Sequence, residues 1–350
     1  MPRSPHIPGE REWIESLRFN CKASGRIKLA IGDDCAILDP PRGQEILVTT
    51  DFSLENVHFR REWHPPESVG HRCLARGLSD LAAMGAAPLA AFLSLALPLE
   101  LLRSQRGQPS WRDRFFRGFL SLAGKYRVPL AGGDTAESPR IRRTGVGVSA
   151  LTGWALADIV LVGNAPRGRA LRRSGARAGD RIYVTGQLGG AAAELAALTR
   201  NPRKFRTVTS SGPDSSHPHL FPEPRLTVGA WLLRHRRATA AIDISDGLST
   251  DLDHLCEESD LAATIDAAAI PVHPLAKNLE QALHGGEDYE LLFTASPNMR
   301  IPGRIAGIPA TCIGTMRAAK PGDARILLVE EVNGRKKARR LRPGGWEHYK

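Results

Sequence analysis

Several apolar runs of this chain end in a carboxylate flanked by glycine, serine or threonine. They are AIGDDCAIL with Asp33 and Asp34, VTTDFS with Asp51, LSDLAAMGA with Asp80, LAGGDTAES with Asp134, and AIDISDGLS with Asp243 and Asp246. Any one of these reads as an ordinary turn, because Asp and Gly favour turn conformations. The repetition points further. Acids at strand or helix ends can converge on one rim of a sheet, where open α/β folds bind ligands. Two carboxylates about 4 Å apart repel by about 4 kcal/mol at an effective dielectric of about 20. A cluster that stays ionised therefore requires cations; the alternatives are protonation or separation. Neighbouring hydroxyls, Thr49, Thr50, Ser79 and Ser245, complete an all-oxygen donor set. Mg2+ suits that set, since it takes a few carboxylates and fills its shell with water and phosphate oxygens.

The next question is what such ions would carry. The sequence has no GxxxxGK[ST] loop and no kinase-type HRD or DFG set. It has glycine turns before helical patterns, TGQLGGAAAEL and SDGLSTDLDHL. Free N–H groups at helix N-termini favour anions, and Arg172 and Arg173 offer guanidinium groups for phosphate. Acids, a hard ion, glycine turns and arginine together indicate a nucleotide polyphosphate. In AAIDISDGLSTDL the simplest reading of Asp246 is an N-cap for a helix starting near Leu248. Asp243 and Asp246 are the metal candidates there, and Asp251 is a structural or surface residue.

The elements that must position these groups follow from periodicity. EREWIESLRFNCK predicts an amphipathic helix, and CAIL and EILVTTD predict strands. Val69, Cys73, Leu74, Leu78, Leu81 and Met84 recur at three- and four-residue spacing and predict a helix over about Glu67–Gly85. LAAFLSLALP is a buried strand, WRDRFFRGFLSLAGKY a helix burying Phe115, Phe119 and Leu122, and VPLAGGD a short strand running into a glycine turn. GVGVSALTGWA is a further strand. A domain boundary is expected between Leu151 and Asp180, where Arg and Gly accumulate. Beyond it RIYVTG is a strand, GGAAAELAAL a helix, Asn201–Pro224 a long polar loop, and RLTVGAWLLRH a helix. A helix from about Leu248, short strands in AATID, YELLFTA, CIGTM and RILLVEE, and a basic tail complete the chain. Strands and helices mix in both halves, so the expected class is α/β (α+β) in two domains, 1–150 and 151–350.

Length and composition agree with a globular protein: 350 residues, 42% apolar and 24% charged. The net charge of +11 admits an anionic partner. Much of it is local, in NGRKKARRLRP, PRIRRTG and RHRR, and reads as solvated faces or a tail; nucleic acid is set aside as a partner. Cys21, Cys35, Cys73, Cys256 and Cys312 are odd in number, widely spaced and without a CxxC. That argues against a disulfide framework or zinc knuckle and for a reducing, cytoplasmic compartment. Cys35 reads as a small core residue. No apolar stretch is long enough to span a bilayer, so no membrane partner is expected.

Taken together, IGDDCAIL, TTDFSLENVHF, LSDLAAMGAAPLA, LAGGDT, GRALRRSGARAGDRIYVTG, IDISDGLSTDL, GGEDYELLFT, CIGTM and the terminal GWEHY resemble the thiamine-monophosphate kinase family, within the aminoimidazole-ribonucleotide synthase superfamily. The resemblance runs in order over nearly the whole chain. It implies a two-domain protein that dimerises through its N-terminal half, with ATP and Mg2+ in a cleft between domains. It also implies transfer of the ATP γ-phosphoryl group to the phosphate of thiamine monophosphate. Carried onto this chain, several Mg2+ ions would be held by Asp34, Thr49, Thr50, Asp51, Asp80, Asp134, Asp243 and Asp246, with Asp51, Asp80 and Asp134 the catalytic acids. ATP would meet Phe116, Gly133, Asp134, Arg173 and Ser245, and thiamine monophosphate would meet His58, Glu287 and Trp346.

From the residues alone, His58 between Val57 and Phe59 is equally a packed histidine. Glu287 in GGEDYE is equally a turn cap with Asp288 its rival, and Trp346 a docking aromatic. Three departures from the family pattern stand out. GGDTAES carries Ala136 and Glu137 where GGDTTRS is common. Phe116 stands where the family has an ATP-contacting tyrosine. LGGAA has Gly190 where LGDAA is frequent.

Overall fold

The computed structural model describes residues 10–22, 25–31, 35–104, 107, 109–139, 141–145, 148–210 and 217–347; side chains of 10–12, 20, 141–152 and 332 are left out. Asp33 and Asp34 lie outside the described residues. The chain divides into two compact units. The first comprises Met1–Gly77, Pro88–Asn164 and Asn201–Ser210, and the second Leu78–Ala87, Ala165–Arg200 and Ser211–Lys350.

The first unit carries α1 (Glu10–Asn20), β1 (Ile27–Leu29), β2 (Ile37–Leu38), β3 (Gln44–Leu54), most of α2 (Pro66–Ala83), β4 (Ala87–Leu97), α3 (Trp111–Tyr126), β5 (Leu130–Glu137), β6 (Ile141–Gly145), β7 (Val148–Thr152) and β8 (Leu156–Pro166). Its main sheet has the order β3-β8-β4-β5, with β4 and β5 parallel. The predicted helix over Glu67–Gly85 forms, and Val69, Cys73, Leu74, Leu78 and Leu81 are buried as its spacing requires. Each fully buried aliphatic side chain contributes about 1.5–3 kcal/mol. Burial pushes the Cys73 thiol up to about 12, so it packs rather than reacts.

Helix α3 starts at a capping box: Ser110 Oγ accepts from Asp113 N, and Asp113 returns a carboxylate oxygen to Ser110 N. Phe115, Phe119 and Leu122 are buried. Helices α2 and α3 approach backbone to backbone: a Cβ on Gly70 would fall 1.9 Å from Phe115 O, and one on Gly118 1.9 Å from Glu67 O. Arg114 clamps the buried Glu67 carboxylate with two bonds of 2.9 and 2.8 Å across that contact.

Two expectations fail in this unit. VPLAGGD does not end in a glycine turn, because β5 continues through Gly132 and Gly133 to Glu137, paired with β4. A Cβ on Gly133 would lie 1.9 Å from Leu93 O, so the missing side chain permits close strand approach instead of a reversal. The division between the units at Asn164 and Ala165 falls within the Arg- and Gly-rich stretch expected to hold it, and that stretch also supplies β8, an inner strand of the sheet. Its alternation of Ala157, Ile159 and Leu161, all buried, was outweighed by the flanking composition. Cys35 is exposed, not core.

The second unit contains β9 (Arg181–Thr185), α4 (Gly190–Arg200), α5 (Leu226–Arg234), β10 (Ala240–Ile244), α6 (Leu248–Glu258), β11 (Leu261–Asp266), α7 (Leu279–His284), β12 (Glu290–Ala295), β13 (Arg304–Ile305), β14 (Ile308–Ala318), β15 (Ile326–Val332) and β16 (Arg335–Leu341). These strands form one sheet in the order β10-β12-β9-β14-β11-β15-β16, with β13 paired to β14. Ile182, Val184, Ile242, Ile244, Leu252, Leu255 and Leu292 fill the core between the sheet and α6. The basic run expected as a tail is the edge strand β16, antiparallel to β15. Arg339 pairs with Glu330 and Lys336 with Asp266. Rows of Lys and Arg keep an unpaired edge from recruiting another strand, which gives the cluster a structural role. Among the described residues, no helix is long and apolar enough to cross a membrane.

Candidate active site

In the first unit, β3 carries Thr49, Thr50 and Asp51. Successive strand residues point to opposite faces, so half-buried Thr49 and Asp51 share a face while exposed Thr50 faces away. Gly133 and Asp134 are exposed on β5 at the opposite edge of the sheet, and Asp134 Oδ1 accepts from Thr135 N at 2.8 Å. Three strand spacings, about 14 Å in a flat sheet, separate β3 from β5, so Asp51 and Asp134 stand at opposite edges of the sheet.

Phe116, Gly133 and Asp134, all expected to meet ATP, line one cleft of about 100 Å³. Its opposite wall comes from α1, where the Trp13 ring meets Phe116 edge-on at 5.2 Å and is covered by the Arg112 guanidinium at 4.9 Å. Aromatic walls and a carboxylate among the lining residues suit a small-molecule site. Sequence reading missed Trp13; its helical periodicity was visible, its neighbours were not. Phe116 is buried and packs by its ring, so the missing hydroxyl leaves its place in the wall unchanged. Glu137 and Ala136 are exposed at the end of β5. His58 lines a separate small cavity with Ser53, Phe59, Val69, Arg72 and Arg76. Its Nδ1 accepts from Leu54 N at 3.0 Å, which places the proton of the neutral ring on Nε2.

In the second unit, β10 runs into the Ser245–Asp246 turn and then α6. Asp243 is buried, and its Oδ2 accepts from Ser79 Oγ at 2.7 Å. Half-buried Asp80 is the next residue on α2. The GGEDYE loop lies against the same turn: Glu287 N donates to Ser245 O and Tyr289 N to Ile244 O. The C-terminal segment returns to it as well. Gly344 N meets Ser249 Oγ, Gly345 N meets Thr250 Oγ1, and Trp346 N donates to Asp246 O, leaving the indole 52% exposed. Asp243, Ser245, Asp246, Glu287 and Trp346 thus gather around one turn, and Asp80 follows the residue that binds Asp243. Arg173 is exposed; its carbonyl accepts from Ser259 Oγ.

Asp246 is not the cap of α6. The N-cap position is Gly247, and the buried Asp251 carboxylate accepts from Asp246 N at 3.1 Å and Gly247 N at 3.0 Å. Asp251 is therefore neither a surface acid nor spare. Burial, then the charges of Asp243 and Asp246, push its carboxyl well above the usual range. Carboxylate oxygens of Asp246 and Asp251 and a ring nitrogen of His254 lie within 4.8 Å of one another. Like charges gathered this closely, with a mostly oxygen donor set, fit a hard divalent cation.

The expected anion site at the N-terminus of α4 is filled from within. Asp288 accepts from Gly189 N at 2.6 Å and Ala191 N at 3.1 Å. Burial raises its carboxyl to about 7 against those two bonds. Asp288 thus takes the capping role, while its neighbour Glu287, at φ 66°, presents its side chain elsewhere. A Cβ on Gly190 would come within 2.7 Å of the His273 ring, so the imidazole fills the space an acid there would need.

Residues 32–153 match the family model for the AIR synthase related protein, N-terminal domain. The thiamine-monophosphate kinase of Escherichia coli K12 is 38% identical over 306 residues, 83% of this chain and 85% of that protein. The crystal structure of thiamine-monophosphate kinase from Stenotrophomonas maltophilia is 32% identical with a TM-score of 0.72, covering 91% of this chain and 94% of that one. The structure of AaThiL complexed with AMPPCP and TMP is 27% identical with a TM-score of 0.68 and covers 97% of each chain. With the order of its motifs, its sheet topologies and these likenesses in agreement, the chain belongs to the thiamine-monophosphate kinase family.

Proposed function

We infer that this protein transfers the γ-phosphoryl group of ATP to the phosphate of thiamine monophosphate, giving thiamine diphosphate. The observation that carries the reading is the likeness to AaThiL complexed with AMPPCP and TMP, which extends over 97% of both chains. The first unit supplies the nucleotide cleft, where Trp13 and Phe116 hold the base and Gly133 lets the phosphates approach the β5 backbone. In the second unit, Glu287 and Trp346 meet thiamine monophosphate, the carboxylate pairing with the cationic or amino group and the indole stacking on a ring. His58 is a third substrate contact, and Arg173 and Ser245 contact the nucleotide. In domain terms, 1–150 carries the nucleotide site and the dimer contact, and 151–350 completes the ATP and substrate sites.

Thr49, Asp51, Asp80, Asp134, Asp243 and Asp246 would hold Mg2+, with Asp34 a further ligand; the Thr50 side chain, on the other face of β3 from Thr49 and Asp51, is set aside. The separation of β3 and β5 favours several ions over one. Bound Mg2+ would neutralise the charge on two mutually repelling phosphates. A phosphate monoester is already a nucleophile, so no side chain need act as a strong base. The protein's own work is alignment of acceptor and donor and exclusion of competing water. Edge strand β3 leaves Ile46, Val48 and Phe52 exposed along one stripe, which supports a homodimer formed through the first unit. Free cysteines support a cytoplasmic setting.

The test is an assay with ATP, Mg2+ and thiamine monophosphate that detects thiamine diphosphate, with free thiamine as control acceptor. Product from thiamine but not from the monophosphate rejects the reading. Sedimentation equilibrium tests the dimer: Val48→Asp with Phe52→Asp should give monomers, and a monomeric parent protein would refute the interface.

A further inference from the structure

Residues 217–220 follow a polar stretch to which the motifs assign no role, yet they are tightly held. Glu194 is buried on α4, and its carboxylate takes three partners from this segment. His217 Nδ1 lies 2.5 Å from Oε1, and the backbone N–H groups of His219 and Leu220 donate to Oε2 at 2.8 and 3.2 Å. Fixed this way, the His219 imidazole is 2% exposed, and its Nδ1 stands at ion-pair distance, 3.1 Å, from Glu287 Oε2, without the alignment of a hydrogen bond. The N-terminus of the same helix, one turn before Glu194, is bound to the residue after Glu287, through the Asp288 cap on Gly189 and Ala191. Helix α4 therefore secures the Glu287 loop twice: at the backbone through Asp288, and at the side chain through Glu194 and His219.

Glu287 needs such support. Its backbone is left-handed, φ 66°, and so is that of Tyr289, φ 51°. Non-glycine residues hold this conformation only when their surroundings impose it. A carboxylate that must present one oxygen to a ligand in a fixed direction gains from a buried partner on the other oxygen.

We propose that His219 is a positioning residue for thiamine-monophosphate recognition, orienting the Glu287 carboxylate, and that Glu194 holds His219 in place. This rests on the assignment of Glu287 to the substrate site. The route from His219 runs through Glu287, and His219 is not a lining residue of the cleft beside Phe116, so its loss should weaken acceptor binding selectively.

The experiment compares steady-state kinetics of the parent protein with His219→Ala, His219→Asn, Glu194→Ala, Glu287→Gln and the His219→Ala/Glu287→Gln pair. His219→Ala should raise KM for thiamine monophosphate about tenfold, leaving KM for ATP within about twofold, as expected for one oriented contact. His219→Asn, whose amide can donate from nearly the position of Nδ1, should recover most of the loss. Glu194→Ala should act in the same direction. Adding His219→Ala to Glu287→Gln should change KM by less than about twofold, because the effect passes through Glu287.

Equal changes in both KM values with a lowered melting temperature, failure of the Asn rescue, or an additive double variant would overturn the proposal. Should His219→Ala fail to fold, the Asn variant and the Glu194→Ala comparison decide it. A parent protein inactive on thiamine monophosphate defeats the functional reading itself; an active parent with unchanged variants defeats only the role of His219.

Discussion

Ser79 Oγ donates to Asp243 Oδ2 at 2.7 Å, joining α2 to β10 through two residues that are both fully or nearly buried. The bond ties the acid of AIDIS to the residue that precedes Asp80 in LSDL. Ser79→Ala removes a donor from a buried carboxylate and should cost about 1–3 kcal/mol. It should also raise the Mg2+ concentration needed for half-maximal activity. Thermal melting and a magnesium titration check both; an unchanged titration would separate Ser79 from the metal site.

Asp51→Asn and Asp80→Asn should each abolish turnover while leaving circular dichroism and melting close to the parent's. Both side chains are half-buried and neither belongs to a core cluster. Removing a charge from a crowded acidic site relieves repulsion even as it removes a ligand. Near-normal activity in both variants, with normal metal dependence, would sink the assignment.

Trp13→Ala should raise KM for ATP by about tenfold, the loss of one aromatic wall of the cleft being worth about 1.5 kcal/mol. KM for thiamine monophosphate should stay within about twofold. A change confined to the acceptor would show that the cleft beside Phe116 is not the nucleotide site.

Asp288 makes stability depend on pH. Its carboxyl is raised from 3.8 to about 7 in the folded protein, chiefly by burial. Between these values the native state keeps a proton that the unfolded chain has released, so stability is lost as pH rises through the window. Asp251 is raised too and acts with the same sign. Only the difference between parent and Asp288→Asn isolates Asp288. Urea unfolding from pH 5 to 8 should show a shallower fall in the variant, and identical slopes would refute the role of burial.

Much of the site was legible as sequence because it is local. A strand ending in an acid, followed by a glycine and an amphipathic helix, is specified over a dozen residues. AIDISDGLSTDL folds that way, with β10 and α6 where the pattern puts them. Spacing along α2 likewise foretold which face is buried. Local signals misled where two readings compete over the same few residues. GGD is a common turn, yet here it continues β5 because Leu93 of the neighbouring strand needs the room. RKKARRL has the composition of a tail, yet β15 offers it a partner.

The sequence by itself determined the family, the α/β character and the identity of the candidate acids, since each depends on residue types at short range. Tertiary structure decided which acid does which work. Asp246 and Asp251 differ by five positions in one motif, but burial under the start of α6 makes Asp251 the acceptor for the turn's N–H groups and frees Asp246 from capping. Glu287 and Asp288 are adjacent, but only Asp288 reaches the N-terminus of α4, about 100 residues earlier in the chain. His219 and Glu194 acquire their roles only by meeting partners distant in sequence. Desolvation and hydrogen-bond geometry are properties of the folded surroundings, and no spacing rule contains them.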